Sequence, residues 1–335
     1  MVHSASTGET AGGWGLEHMA LLRSLVTGYV LLFFSERLFW TVFRPGDSVG
    51  DYVITWLAYS VAAYLLLCII SVFRVAHAAA MMVAGAMYGW LVEGGIAATL
   101  YGTEESAPFP LSLLCTGVSW HALISVTVGC YLIPRLLRRT SPWPALAAAV
   151  GIGLFWGLWA TFLWAETPSQ VTPVSAFVAH GALITSLLAA CYWLWARLEA
   201  RAFRVTWPGM AVATLLLGFF YVQHVAALGA RVLLLPALLL GAGLVLWRYR
   251  IVGAPAAVAP LPPSPWVARN CLALLAAPLV ATGVYALLLR SGMDGSPIRD
   301  TLWWAMIGVG ATAFAGSILV ILAGRRTADG PPTDP

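Results

Sequence analysis

The feature that most constrains this chain is how seldom its apolar runs are interrupted. A helix that crosses a bilayer needs about 20 predominantly apolar residues. Such stretches recur near 20–42, 52–73, 78–100, 110–132, 145–165, 174–196, 208–229, 231–247, 267–289 and 301–323. In lipid every backbone N–H and C=O must be satisfied internally, and a helix does so within its own segment. The pattern therefore predicts an all-α polytopic bundle of about ten membrane spans by that length criterion. Composition agrees: 60% of the 335 residues are hydrophobic and 10% charged, whereas a soluble domain carries about 25% charged residues.

The arginines predict an orientation. Arg74, Arg135, Arg138, Arg139, Arg197, Arg201, Arg204, Arg248, Arg250, Arg325 and Arg326 fall on one side of the predicted spans. Arg44, Arg231, Arg290 and Arg299 fall on the other, among Asp47, Asp51, Glu104, Glu105, Glu166, Asp294 and Asp300. The positive-inside rule puts the arginine-rich loops in the cytoplasm. Both termini are then expected to be cytoplasmic, in a multi-pass protein of the cell inner (plasma) membrane. Met1 to Gly15 is polar without basic residues, so the first helix is expected to act as the insertion signal rather than a removable leader.

The expected division is a cytoplasmic segment over 1–19, an eight-helix core over 20–250, a Pro-rich cytoplasmic linker over 251–265, a two-helix hairpin over 266–324 and a disordered tail over 325–335. The linker contains the run from Ala254 to Pro265, whose composition favours extended polyproline-like backbone. The outer-loop run Thr103-Glu104-Glu105-Ser106 reads as a solvated turn or cap.

Several chemistries drop out. All 18 basic residues are arginine, so no lysine nucleophile or Schiff base is available. A net charge of +4 spread over short loops gives nucleic acid no footprint. Cys68, Cys115, Cys130, Cys191 and Cys271 lie inside apolar stretches, and no CxxC pair occurs.

What remains is a small set of polar residues at membrane depth. A charged group at the bilayer centre costs roughly 2.5–3.5 kcal/mol on insertion scales, which makes such residues rare and functional by default. The candidates are Glu36 with Arg37, Glu93, His121, His180 and His224. At a rise of 1.5 Å per residue, His121 falls near the centre of its span, and Glu93, Glu36, His180 and His224 lie about 6–9 Å from theirs. All four offsets point to the non-cytoplasmic side, so the set forms one shelf. Carboxyls and imidazoles in a water-poor layer suit general acid–base work or metal ligation. The competing reading is structural: Glu36 and Arg37 snorkel or pair, and each histidine is a hydrogen-bonded packing residue. Gly85, Gly89, Gly94 and Gly95 let helices approach closely under either reading.

The run Gly85-Ala86-Met87-Tyr88-Gly89-Trp90-Leu91-Val92-Glu93, with Tyr101 after it, resembles the small-residue helix bearing a buried glutamate in PrsW-type intramembrane proteases. Ser119-Trp120-His121-Ala122-Leu123-Ile124, followed by Gly129 and Tyr131, resembles that family's next helix, and His180-Gly181 its later histidine–glycine motif. The order Glu36, Glu93, His121, His180 is also the family's order. The chain differs in having one glutamate at Ser35-Glu36-Arg37 where the family pairs two. It also has Ile184 where the family places an acid or amide after the second histidine.

The resemblance, strongest over 80–140, implies a membrane-embedded hydrolase related to the CAAX-protease and bacteriocin-processing group. It implies Glu36, Glu93, His121 and His180 as catalytic residues, with Tyr101 and Trp120 in support; Arg37 and His224 join the supporting set from their depth in the spans. Glu36 or Glu93 would activate water, and His121 and His180 would orient that water, stabilise the oxyanion or, with Glu93, ligate a divalent metal such as zinc. The substrate would be a membrane-embedded peptide or lipid-linked molecule reached from the bilayer. Two alternatives stay open from the residues themselves. One is a proton-coupled permease using the same shelf. The other is a haem or metal protein using His121, His180 and His224.

Overall fold

The computed structural model describes residues 10–42, 48–105, 107–165, 170–198, 203–251, 264–293 and 295–324. The tail, nearly all of the Pro-rich linker and half of the N-terminal segment named above lie outside the described residues. Within them the chain is helical, without strands.

The helices are α1 (Thr10–Ser35), α2 (Val49–Phe73), α3 (Ala78–Gly95), α4 (Leu111–Leu137), α5 (Trp143–Trp159), α6 (Val174–Leu198), α7 (Trp207–Leu228), α8 (Leu234–Ile251), α9 (Val267–Ser291) and α10 (Ser296–Ala323). Eight segments of the described residues are long and apolar enough to cross a membrane. The difference from the expected spans has two sources. Trp207–Arg250 is one continuous apolar segment that covers α7 and all but the last residue of α8, broken where Gly229 takes a left-handed φ of 58°. The 18-residue α3 falls outside the eight, because Glu93 and its glycines dilute its apolar character.

Local chemistry sets the ends. Ser48 and Asp51 form a reciprocal capping box at the start of α2. Thr206 accepts from the Gly209 N–H at the start of α7, with Pro208 in the first turn. Much of α4 departs from α-helical geometry: Cys115–Leu132 is a π-helix. Its wider turn carries i→i+5 hydrogen bonds, a form otherwise seen mostly as single turns and often at functional sites.

The inner layer is α1, α3 and α4. Val30, Leu31, Leu32, Phe33 and Phe34 are successive buried residues of α1, so that helix is enclosed on all sides. A Cβ placed at Gly89 of α3 would lie 2.2 Å from the carbonyl oxygen of Gly117 in α4, so the two backbones touch there. The outer helices present Leu215, Val222, Leu240, Leu287 and Leu319 outward, each at least 65% exposed. Large apolar side chains exposed in such numbers are expected when lipid is the solvent.

The last two helices are integral to this bundle. In α5, Gly153 and Gly157 bring its backbone against Ala277 and Ala281 of α9. On α10, Gly310 packs on Ser119, and Phe314 meets the ring of Trp90 at 5.7 Å. The hairpin expected over 266–324 thus closes one side of the inner layer, because small residues let it approach α3, α4 and α5.

Candidate active site

Glu93 lies in the last turn of α3 and His121 in the wide part of α4. The close contact at Gly89 and Gly117 brings these elements together, and His121 Nε2 stands 2.6 Å from Glu93 Oε1, both side chains buried. The second carboxylate oxygen, Oε2, accepts a hydrogen bond from Thr99 Oγ1. The other ring nitrogen, Nδ1, is 3.1 Å from Ser35 Oγ, at the end of α1. Ser35 Oγ in turn lies 2.8 Å from Ser125 Oγ, one turn beyond His121.

A carboxylate oxygen only accepts, so the contact at Glu93 Oε1 is donated by the Nε2–H of His121. In the neutral tautomer that carries this proton, Nδ1 is the acceptor and faces the Ser35 hydroxyl. The Ser35 and Ser125 hydroxyls can each donate to the other, and Ser125 also donates to the Trp120 carbonyl oxygen at 3.4 Å. The contacts link Ser125, Ser35, His121 and Glu93, with Thr99 completing the carboxylate. Tyr88 packs edge-on against the imidazole, at 5.5 Å and 89°, and restricts its tilt.

The segment after α3 is shaped to deliver Thr99. Ala98 takes a left-handed φ of 65°, a conformation that costs a non-glycine residue about 1–2 kcal/mol. It turns the chain back so that the Thr99 hydroxyl reaches Glu93. Tyr101 OH holds Gly94 O at 2.7 Å, Ser112 Oγ holds Leu100 O at 2.9 Å, and His224 Nε2 donates to Ile96 O at 3.2 Å. These three contacts brace the turn.

The pair faces a cavity of about 890 Å³, in the size range of ligand pockets. Ser35, Glu36, Glu93, Thr99, Thr116, Trp120 and His121 line its inner wall. Phe39, Trp159, Phe162, Trp303 and Trp304 form an aromatic wall. Phe39 lies 3.8 Å from Trp120 by ring centroids, and Trp159 packs edge-on to Trp120 at 5.1 Å. Glu104, Arg299 and Asp300 also line the cavity, the last two as an ion pair at 2.7 Å. Glu104 thus belongs to the cavity as well as to the exposed turn expected from the sequence.

Of the residues picked out from the sequence, Glu36, Glu93, His121 and Trp120 meet in this cavity. Glu36 accepts from Tyr59 OH at 3.1 Å, and the Trp120 indole N–H donates to the Ser35 carbonyl at 3.0 Å. His180 is buried on α6, and the cavity lining does not include it. Arg37 is also buried, with its guanidinium over the ring of Tyr52 at 4.4 Å. Tyr101 and His224 act one step removed, through the turn that carries Thr99.

The expected metal set of Glu93, His121 and His180 does not fit. Both carboxylate oxygens of Glu93 and both nitrogens of His121 are engaged by protein groups. Among the described residues no three histidine, cysteine or acidic side chains are grouped so as to hold a metal ion. The physical reason is placement: His180 is buried on α6 outside the cavity that Glu93 and His121 line.

Ser35, Ser125, Thr99 and Tyr59 are site residues that sequence reasoning missed. No model of a protein family, no curated protein and no solved structure matches the chain.

Proposed function

We propose that this protein is a membrane-embedded hydrolase in which His121 is the base and Glu93 the carboxylate that orients it. The observation that carries the reading is the 2.6 Å contact between Glu93 Oε1 and His121 Nε2 in the wall of a large cavity. A buried imidazole held by a carboxylate and presenting a lone pair to a reactive site is the arrangement general-base catalysis requires. Proton uptake at Nδ1 creates an imidazolium directly beside Glu93, whose charge stabilises it.

The order Glu36, Glu93, His121, His180 supports kinship with PrsW-type proteases, with the roles redistributed. Glu93 is held by His121 and Thr99 and orients the imidazole, His180 lies outside the cavity lining, and Glu36 lines the cavity beside the pair. The finer topology in this proposal is ten crossings with both termini cytoplasmic, in the inner (plasma) membrane. The aromatic wall suits a membrane-spanning peptide or a lipid-linked substrate. Purified protein in lipid nanodiscs, challenged with single-span peptides and with acyl lipids, tests the reading. Hydrolysis lost in both Glu93→Gln and His121→Asn supports it, and hydrolysis retained in both removes it.

A proton-coupled permease is the second reading, favoured by the carboxylates of Glu36, Glu93, Glu104 and Asp300 in one cavity. Solute uptake into proteoliposomes driven by a pH gradient, without any covalent change in the solute, would establish it instead.

A further inference from the structure

We infer that Ser35 is a nucleophile, so that Ser35, His121 and Glu93 form a covalent-catalysis triad that works on acyl compounds; this rests on the hydrolase reading and deepens it. Three observations carry it. The first is connectivity: the hydroxyl lies 3.1 Å from Nδ1 of His121, and the other ring nitrogen lies 2.6 Å from the Glu93 carboxylate. Nucleophile, base and orienting acid within hydrogen-bond reach of one another are the geometric signature of this chemistry, whatever their order in the chain.

The second is the direction of the hydroxyl. Several serines and threonines in helices of this protein bond back to the carbonyl one turn earlier. Ser24, Ser60, Thr282, Thr301 and Ser317 each donate to the carbonyl oxygen of residue i−4. Ser35 ends α1 yet points across to α4 instead. Its own carbonyl is fixed by the Trp120 indole, and its hydroxyl lies 3.1 Å from His121 Nδ1 and 2.8 Å from Ser125 Oγ, while Ser125 itself donates to the Trp120 carbonyl oxygen at 3.4 Å.

The third is access. Ser35 lines the cavity together with His121, so a carbonyl group entering along the aromatic wall meets the hydroxyl.

The step balances. Ser35 Oγ bonds to the carbonyl carbon as its proton passes to His121 Nδ1, and the carbonyl π pair moves onto its oxygen. Collapse of that adduct breaks the bond to the leaving alcohol or amine, which takes the proton from Nδ1. Water then attacks the acyl-Ser35 ester and gives a proton to Nδ1. That proton returns to Ser35 Oγ as the carboxylic acid departs. The indole-rich wall favours an ester or amide whose acyl chain is apolar.

The test uses the full chain in nanodiscs and a long-chain alkyl fluorophosphonate, read by intact mass and peptide mapping. One adduct per chain is expected, located on Ser35. Labelling should be absent in Ser35→Ala and slowed at least tenfold in His121→Asn and Glu93→Gln. No adduct on the wild-type protein, or one mapped elsewhere, overturns the inference, and this readout needs no variant to fold. The failures separate. If Ser35→Ala still hydrolyses substrate while His121→Asn does not, the nucleophile is water and the hydrolase reading stands. If His121→Asn and Glu93→Gln both hydrolyse normally, the hydrolase reading itself falls.

Discussion

Trp120 donates its indole N–H to the carbonyl oxygen of Ser35 at 3.0 Å, one residue before His121 meets the Ser35 hydroxyl. Adjacent residues of α4 therefore grip both ends of a single residue of α1. Trp120→Phe keeps ring packing against Phe39 but removes the donor. Losing one such hydrogen bond costs about 1 kcal/mol. The expected outcome is a modest fall in thermal midpoint together with a larger fall in hydrolytic rate, since Ser35 loses its registration. Thermal unfolding in parallel with turnover checks this, and a rate that falls no more than stability does would contradict it.

Thr99 has a comparable role on the far side of the pair. Hydrogen bonds to charged groups contribute about 1.5–3 kcal/mol, and Thr99→Val removes one from Glu93 while preserving shape. If most of that falls on the reacting state, turnover drops by about tenfold or more. Thr99→Ser should restore it, because the hydroxyl rather than the methyl group reaches the carboxylate. An unaffected valine variant would show that Glu93 holds His121 without help.

The helical class and the meeting of Glu93 with His121 were both legible in the sequence, for one reason: depth in a membrane is readable from residue counting, and lipid penalises polar groups that stand alone. What counting cannot supply is azimuth. His180, expected at the same depth, is buried on α6 outside the cavity lining. Thr116 and His121 would sit about 140° apart on an α-helical wheel, yet both line the cavity, because the π-helical stretch changes the repeat. Ser35 left no signal, since a serine in an apolar helix ordinarily bonds back to its own backbone. Thr99 was hidden for a different reason: the left-handed turn that aims it is made by Ala98, with no glycine to announce it.

The ligand geometry carries a prediction about metal. With both nitrogens of His121 and both oxygens of Glu93 engaged inside the protein, hydrolysis should survive exhaustive chelation, and purified protein should hold no stoichiometric zinc. His180→Asn should leave turnover little changed, whereas His121→Asn abolishes it. Zinc at one equivalent, with activity lost on chelation and regained on addition, would require the pair to open and would overturn this arrangement of donors.

Gly89 is where the helix contact beneath the pair can be tested apart from its chemistry. A methyl group there would press on the Gly117 carbonyl oxygen at 2.2 Å, a backbone atom with no freedom to rotate away. Overpacking of this kind costs about 1–3 kcal/mol. Relief requires α3 and α4 to separate, which draws His121 from Glu93. Gly218 of α7 is the matched control: nothing lies within 4 Å of a Cβ placed there. Alanine in place of glycine inside a helix gains about 0.5–1 kcal/mol. Gly89→Ala is therefore expected to unfold at lower temperature and to lose activity, while Gly218→Ala unfolds at or slightly above the wild-type temperature with activity unchanged. Tryptophan fluorescence on heating in nanodiscs reads both. Equal midpoints for the two variants would mean that α3 and α4 are not in backbone contact, and the placement of Glu93 beside His121 would then lose its physical basis.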